Sequence, residues 1–242
     1  MKILLLQARE DGDAMLEHEL ACFSERSGLP AERFSAVNMS VETISTECLS
    51  EVDAVMIGGS GDFSVALANF DWHAPMLDLL REVVRREVPT FASCFGHQAL
   101  AQSLGGEVIQ LPEQKEVGTF EIEINEAGLA DPVMGTMPPR FMAQLGHQDH
   151  VVRLPPEMIN LASSQLCSVQ ATRVRKTSII STQFHPELTG ADQLARWMRY
   201  IEHYTRPDET IEQARDRARS MVFASPEAST LLRAFVEVEL GL

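Results

Sequence analysis

No run in this 242-residue chain approaches the roughly 20 apolar residues that a membrane span needs. The opening "MKILLLQARED" carries one lysine and an apolar stretch shorter than the roughly 7 to 15 residues of a signal-peptide core, with charges directly behind it. It reads as a first strand, and a cytoplasmic protein is expected. Cysteine is scarce: Cys22, Cys48, Cys94 and Cys167 lie far apart, with no C-x-x-C pair. That spacing argues against a disulfide framework or a structural zinc site and suits reduced thiols. No block of five or more basic residues interrupts a formal net charge of -15. The resulting field repels phosphate backbones and anionic lipid, so neither nucleic acid nor a membrane is an expected partner. Internal repeats and low-complexity segments are also absent. What is present is a 45% hydrophobic composition, enough for one α/β domain of about 200 residues with an appendage.

Apolar runs alternate with helix-period segments over the first half. "KILLLQ" precedes Asp13 to Ser27, where Leu16, Leu20 and Phe23 recur at helical spacing and Gly28 supplies a stop. "ERFSAV" and "DAVMIGG" follow as strands, then Pro75 to Glu87 with the stripe Met76, Leu79, Leu80, Val83 and Val84. "PTFAS" reads as a strand and "GHQALAQSLGG" as a helix closed by two glycines. Near-continuous apolar strands with helical crossovers imply a parallel sheet covered on both faces. From about Glu107 strands follow one another without helices: "EVIQL", "GTFEIEI" with Phe120, Ile122 and Ile124 on one face, "RFMAQL", "INLASS", "CSVQATRV" and "SIISTQF". That half predicts an extended mixed sheet with hairpins. Helical spacing returns with Leu194, Trp197, Met198 and Ile201. Two further helices are predicted in the tail, the second capped by Ser225 before Pro226.

The short stretch Ala92, Ser93, Cys94, Phe95 and Gly96 lies between a predicted strand and a predicted helix. A nucleophile on such a sharp turn needs small residues two before and two after it, the general form of the nucleophile elbow. The placement would put the Cys94 sulfur at the carboxyl edge of the sheet, where ligands bind, and at a helix N-terminus that favours thiolate. The competing reading is a buried cysteine acting as a small hydrophobe. Cys22 in an amphipathic helix, Cys48 in a polar loop and Cys167 in a strand are each explained by packing or exposure. A thiol nucleophile also needs a base and an orienting group. "STQFHPEL" offers His185 and Glu187, which point to one side if the chain is extended, with Pro186 stiffening the link. Alone, the pair reads equally as a surface histidine beside a strand-ending proline.

Taken together, "CFGHQALAQSLGG", "QFHPE" and "VMIGGSGDFSV" resemble the class I glutamine amidotransferases, with a Gly-Gly loop, a Cys-x-Gly-x-Gln elbow and a His-Pro-Glu terminus in the family's order. "KEVGTFEIEI" and "MAQLGHQDHV" are similar to further landmarks, so the likeness spans residues 1–204. Within the family it is greatest to the amidotransferase domain of GMP synthetase and its free-standing relatives. The resemblance implies a flavodoxin-like open parallel or mixed sheet with helices on both faces, and a C-terminal helical extension over residues 205–242 packed on the same domain. It implies a triad in which Cys94 attacks the γ-carboxamide of glutamine or a γ-glutamyl compound, His185 moves protons and Glu187 orients the imidazole. The amides of Gly59 and Phe95 would hold the oxyanion. Gln98, together with Gly146, His147, Gln148 and Asp149, would line the substrate pocket. No cofactor is implied. His147, Asp149 and His150 contain metal-ligand types, but no further Cys/His cluster completes a site, and no metal is expected.

The chain departs from the family at three places. Ala92 stands where Gly is frequent, and Ser60 and Asp62 occur in "GGSGD" where the GMP synthetase domain usually has Gly-Gly-Pro-Gly. After Tyr204 too few residues remain for an ATP-dependent synthetase domain, so aminating a second substrate would take another polypeptide. The expectations are a free-standing γ-glutamyl amide hydrolase, a subunit delivering ammonia to a synthetase partner, or a regulatory protein on the same scaffold. A homodimer is compatible with each. The DJ-1 and PfpI group also places a cysteine on an elbow, but His follows that cysteine directly, whereas Phe95 does here.

Overall fold

The strand β1 (Ile3–Ala8) is buried along its whole length. Its side chains divide by parity: Ile3 and Leu5 enter one apolar layer, Leu4 and Leu6 the other. A strand buried on both faces belongs inside a sheet covered twice. In the computed structural model, which describes residues 1–242 apart from the side chain of His203, β1 pairs in parallel with β2 (Phe34–Asn38) and β3 (Ala54–Ser60). Next to β3 lies β4 (Thr90–Ser93), and next to β4 lies β11 (Ile179–Thr182), both parallel. Beyond β11 the sheet turns antiparallel through β10 (Ala171–Val174), β9 (Met158–Ser163), β6 (Glu116–Ile124) and β7 (Arg140–His147). The whole is one nine-stranded mixed sheet in the order β2-β1-β3-β4-β11-β10-β9-β6-β7.

Helices cover both faces. The helix α1 (Met15–Ser27) ends on Gly28, whose φ of 74° suits a left-handed cap. It packs on the layer containing Ile3, Leu5 and Phe91, using Phe23. The opposite layer receives α2 (His73–Arg85) through Met76, Leu79, Leu80 and Val83, and α3 (Phe95–Ser103) through Ala99 and Leu100. The short α4 (Glu126–Leu129) follows β6. Near the carboxyl edge of the sheet, α5 (Gly190–Arg199), α6 (Ile201–Tyr204) and α7 (Ile211–Met221) enclose a third cluster with Trp197 and Ile201 against Val117 of β6. The last helix, α8 (Leu231–Glu239), inserts Leu231, Leu232, Phe235 and Val236 into the α1 layer. Among the described residues no helix is long and apolar enough to cross a membrane.

Four local expectations change. "EVIQL" does not join the main sheet: β5 (Glu107–Gln110) forms a separate antiparallel ribbon with β8 (Asp149–Arg153), a strand the sequence pattern did not mark. Only Val151 of β8's two valines is buried, so the apolar signal is too short to show. Cys167 lies in the connection between β9 and β10 rather than in a strand, because β10 begins only at Ala171. Ser225 does not cap the last helix; its Oγ accepts from Gln144 Nε2 at 2.9 Å, and α8 starts at Leu231 after a 3-10 turn.

Candidate active site

Sheet register brings the remote candidates together. Ile57 of β3 stands opposite Ala92 of β4, and Thr182 of β11 opposite Ser93. Continuing each strand places Gly59 and Gln183 beside Cys94, and the Cys94 N–H donates to Thr182 O at 2.7 Å. Cys94 itself has φ 50° and ψ -101°, a region that costs a non-glycine residue about 1–3 kcal/mol. The turn is so tight that a Cβ on Gly96 would come within 2.7 Å of Ile57 Cβ and 3.1 Å of Ala92 Cβ. Ala92 is therefore tolerated because Gly96 leaves room for its methyl group. The Cys94 carbonyl accepts from the Gln98 N–H at 3.1 Å, which starts α3. Cys94 is 6% exposed, yet its side of the turn borders a cavity.

His185 follows β11, and its N–H donates to Gln144 O of β7 at 2.9 Å. The chain is not extended here. Pro186 and Glu187 form a turn closed by Leu188 N–H on His185 O at 3.2 Å, as suits proline at the second turn position. The turn folds the carboxylate back on the ring, giving 2.6 Å between His185 Nδ1 and Glu187 Oε1. The Glu187 carboxylate accepts from Nδ1–H, which leaves Nε2 as the ring nitrogen available for proton transfer. Burial pulls the imidazole pKa down, but Glu187 and Cys94 outweigh it and raise it to about 9. Burial likewise opposes the Glu187 charge, and His185 and Arg196 overcome it, holding the carboxyl below its ordinary range. A Cβ on Gly59 would meet His185 Cε1 at 2.7 Å, so this glycine gives the ring its room.

Behind Glu187 runs a buried chain of alternating charge. Arg196 Nη1 lies 3.6 Å from Glu187 Oε1 and Arg196 Nη2 3.6 Å from Glu19 Oε1. Glu19 also receives Arg9 Nη2 at 2.9 Å and Gln7 Nε2 at 3.2 Å. Gly58 must lack a side chain, because a Cβ would collide with the Glu19 carboxylate.

The cavity, about 310 Å³, is bordered by seven of the ten sequence-derived candidates: Cys94, Phe95, Gln98, Gly146, His147, Gln148 and Asp149. Gly59, His185 and Glu187 are not on its wall and lie behind Cys94 and Ser60. Gln98 Nε2 donates to Asp149 O and to Gln183 Oε1, both at 3.1 Å, while Gln183 Nε2 reaches Cys94 Sγ at 3.5 Å. Gln183 was overlooked although it opens the quoted "QFHPE". The departures in the Gly-Gly loop have visible roles: Ser60 Oγ accepts from Phe63 N–H at 2.8 Å, and Asp62 borders the cavity.

His147, Asp149 and His150 do not form a ligand set. His147 Nδ1 donates to Asp149 O at 3.1 Å, and its Nε2 lies 3.0 Å from Glu116 Oε2. Asp149 Oδ2 accepts from Ser64 Oγ at 2.7 Å and Ala66 N–H at 3.2 Å. Glu116, His147 and Cys167 do place ligand atoms within 4.8 Å of one another. Glu116 is already held by Ser164 Oγ at 2.7 Å and Gln170 Nε2 at 2.8 Å, and burial pushes the Cys167 thiol up to about 12. Glu116 thus sits in a hydrogen-bonded cluster with His147, Ser164 and Gln170.

A cysteine on a strand–helix elbow, backed by an imidazole and a carboxylate at the carboxyl edge of a parallel sheet, is the arrangement of a thiol-nucleophile α/β protein. Comparison with known proteins sharpens this. The sequence profile of the family "Glutamine amidotransferase class-I" matches residues 27–200. One of the subunits of the glutamine-hydrolyzing GMP synthase of Sulfolobus acidocaldarius is 35% identical over 149 residues, covering 62% of this chain and 74% of that protein. The like-named subunit from Methanosarcina acetivorans is 29% identical over 169 residues, covering 68% and 82%. A glutamine amidotransferase from Thermotoga maritima superposes with a TM-score of 0.74 at 18% identity, over 98% of this chain and 96% of that one, a likeness of fold. The chain belongs to the class I glutamine amidotransferase family.

Proposed function

We propose that the protein hydrolyses the γ-carboxamide of glutamine or of a γ-glutamyl compound through a thioester on Cys94. The observation that carries this is His185, whose ring is held by Glu187 at 2.6 Å on Nδ1 and whose pKa Glu187 and Cys94 together raise against burial. His185 takes the thiol proton as Cys94 Sγ attacks the γ-carbonyl carbon, forming the C–S bond while the carbonyl electron pair moves onto oxygen. The proton on His185 passes to the leaving nitrogen as the C–N bond breaks, releasing ammonia or an amine. His185 then takes a proton from water, the hydroxide adds to the thioester, and the C–S bond breaks to release the γ-carboxylate. Glu187 keeps the imidazole in the useful tautomer and stabilises its cation. The amides of Gly59 and Phe95 receive the oxyanion, a role in which losing one donor typically costs about 10²- to 10³-fold. Gln98 and the 146–149 segment hold the amino-acid end, with Asp149 Oδ1, buried and without a hydrogen-bond partner among the described residues, suited to an α-ammonium group.

On this reading residues 1–204 carry the amidotransferase unit and 205–242 an extension packed on it, which the insertion of α8 into the α1 layer supports. A second reading, favoured by the likeness to subunits of GMP synthase, makes the protein an ammonia-delivering subunit of a separate synthetase. The test is ammonia and glutamate release by the purified chain from a panel of γ-glutamyl compounds. Turnover without a partner supports the hydrolase; silence alone with turnover on adding a synthetase supports the second reading. Turnover that survives Cys94→Ala refutes both.

A further inference from the structure

The cavity in front of Cys94 carries one Lys or Arg side chain on its wall among the described residues, Lys115. Sequence reading passed over it, although it opens the quoted "KEVGTFEIEI". Lys115 lies between a 3-10 turn and β6, half-buried, with Nζ 4.9 Å from the centre of the Tyr204 ring. No carboxylate among the described residues forms an ion pair with it, and the charged groups acting on it most are the cations Arg217 and Arg206. Burial, then Arg217 and Arg206, lower its pKa. Arg217 is satisfied by Glu209 at 2.8 Å, which leaves Lys115 as the cation on the cavity wall with no ion-pair partner among the described residues. A half-buried ammonium that has an aromatic ring beside it, two cations acting on it and no carboxylate paired to it among the described residues is a site that gains by receiving an anion.

The same cavity bears the opposite vacancy of charge, the unpartnered buried Oδ1 of Asp149. One ammonium with the two carboxylates of Asp62 and Asp149 on a single cavity wall suits a zwitterion, whereas a polyanion such as a nucleotide phosphate would be repelled by those carboxylates. Resting on the hydrolase reading above, we propose that Lys115 receives the α-carboxylate of the γ-glutamyl substrate and so restricts the enzyme to amides bearing a free amino-acid end.

The test compares L-glutamine with its α-carboxamide derivative, glutaminamide, in wild-type protein and in Lys115→Met and Lys115→Arg. A charge-assisted contact of this kind is expected to be worth about ten- to hundredfold in binding. Lys115→Met should raise KM for glutamine by about that factor and alter KM for glutaminamide by less than about twofold, and Lys115→Arg should recover part of the loss. Equal effects on both substrates, or none on glutamine, would overturn the assignment. A second measurement does not depend on turnover: the rate of Cys94 alkylation by iodoacetate relative to iodoacetamide. Lys115→Met should lower that ratio severalfold at Cys94 and leave it unchanged at Cys48, and an unchanged ratio at Cys94 overturns the proposal. Should the wild-type protein release nothing from any γ-glutamyl compound while the ratio still falls, the carboxylate site stands and the hydrolase reading is the one that fails.

Discussion

Replacing Glu187 by glutamine removes one charge while keeping the shape of the turn. In the wild-type protein burial of His185 is outweighed by Glu187 and Cys94, and the ring titrates at about 9. Without its largest favourable partner the ring loses the main interaction that opposes burial, and its pKa falls. The rise from 6.5 to about 9 in a group 7% exposed corresponds to roughly 3 kcal/mol at about 1.4 kcal/mol per pKa unit, which sets the scale of what the charge of Glu187 supplies. On the proposed mechanism turnover should drop by about 10²-fold, because the imidazolium assigned to protonate the leaving amine is no longer supported. Stability should fall as well, since Arg196 keeps only Glu19 as a partner. The pH window follows from the two shifts. The raised His185 pKa contributes stability fully below 6.5 and loses it as pH rises through about 9. The lowered Glu187 pKa contributes above 4.5 and loses it as pH falls through the depressed value. The difference between wild type and Glu187→Gln is therefore greatest between these limits and shrinks towards either end. NMR titration of the His185 ring, with ammonia release and urea unfolding at several pH values, measures each part. A ring still titrating near 9 in Glu187→Gln, with turnover within threefold of wild type, would refute the reasoning.

Other outcomes test the elbow and the thiols. Cys94→Gly should be about 1 kcal/mol more stable than Cys94→Ala by urea unfolding, because glycine accepts φ 50° without penalty, and both should abolish ammonia release. Gly96→Ala should lose about 1–3 kcal/mol and lower Tm, since the new methyl meets Ile57 and Ala92 in a filled turn. A glutamine-mimicking electrophile at pH 8, followed by peptide mass mapping, should label Cys94 and spare Cys22 and Cys167, whose thiols burial pushes up to about 12. Equal labelling of either would contradict an activated Cys94.

The parallel half of the fold was legible because strands covered on both faces read as unbroken apolar runs, as "ILLLQA" and "AVMIGG" do. The β5–β8 ribbon was not, because each strand buries too few side chains to imprint a period. Cys94 announced itself through its small neighbours, and the structure gives the physical cause in the contact among Gly96, Ala92 and Ile57. His185 and Glu187 were visible as a pair, though their meeting depends on a turn at Pro186 and not on strand alternation. Arg196, Glu19 and Arg9 left no such trace. They come from three separate elements and acquire meaning only when α5 and α1 are laid against β1. Lys115 likewise has no partner nearby in the chain to mark it.

The strands β4 and β11 are neighbours in space, yet the chain wanders through residues 104–178 between them. That excursion builds the antiparallel wing and contributes Lys115, Gly146, His147, Gln148 and Asp149 to the cavity wall. Cys94 is set by the backbone ladder of β4 and β11, through its N–H on Thr182 O, whereas His185 is also tied to the excursion by its N–H on Gln144 O of β7. The wing is thus only partly separable: the loops that line the cavity decide what it admits, while β7 has to stay because it anchors the segment that carries the imidazole.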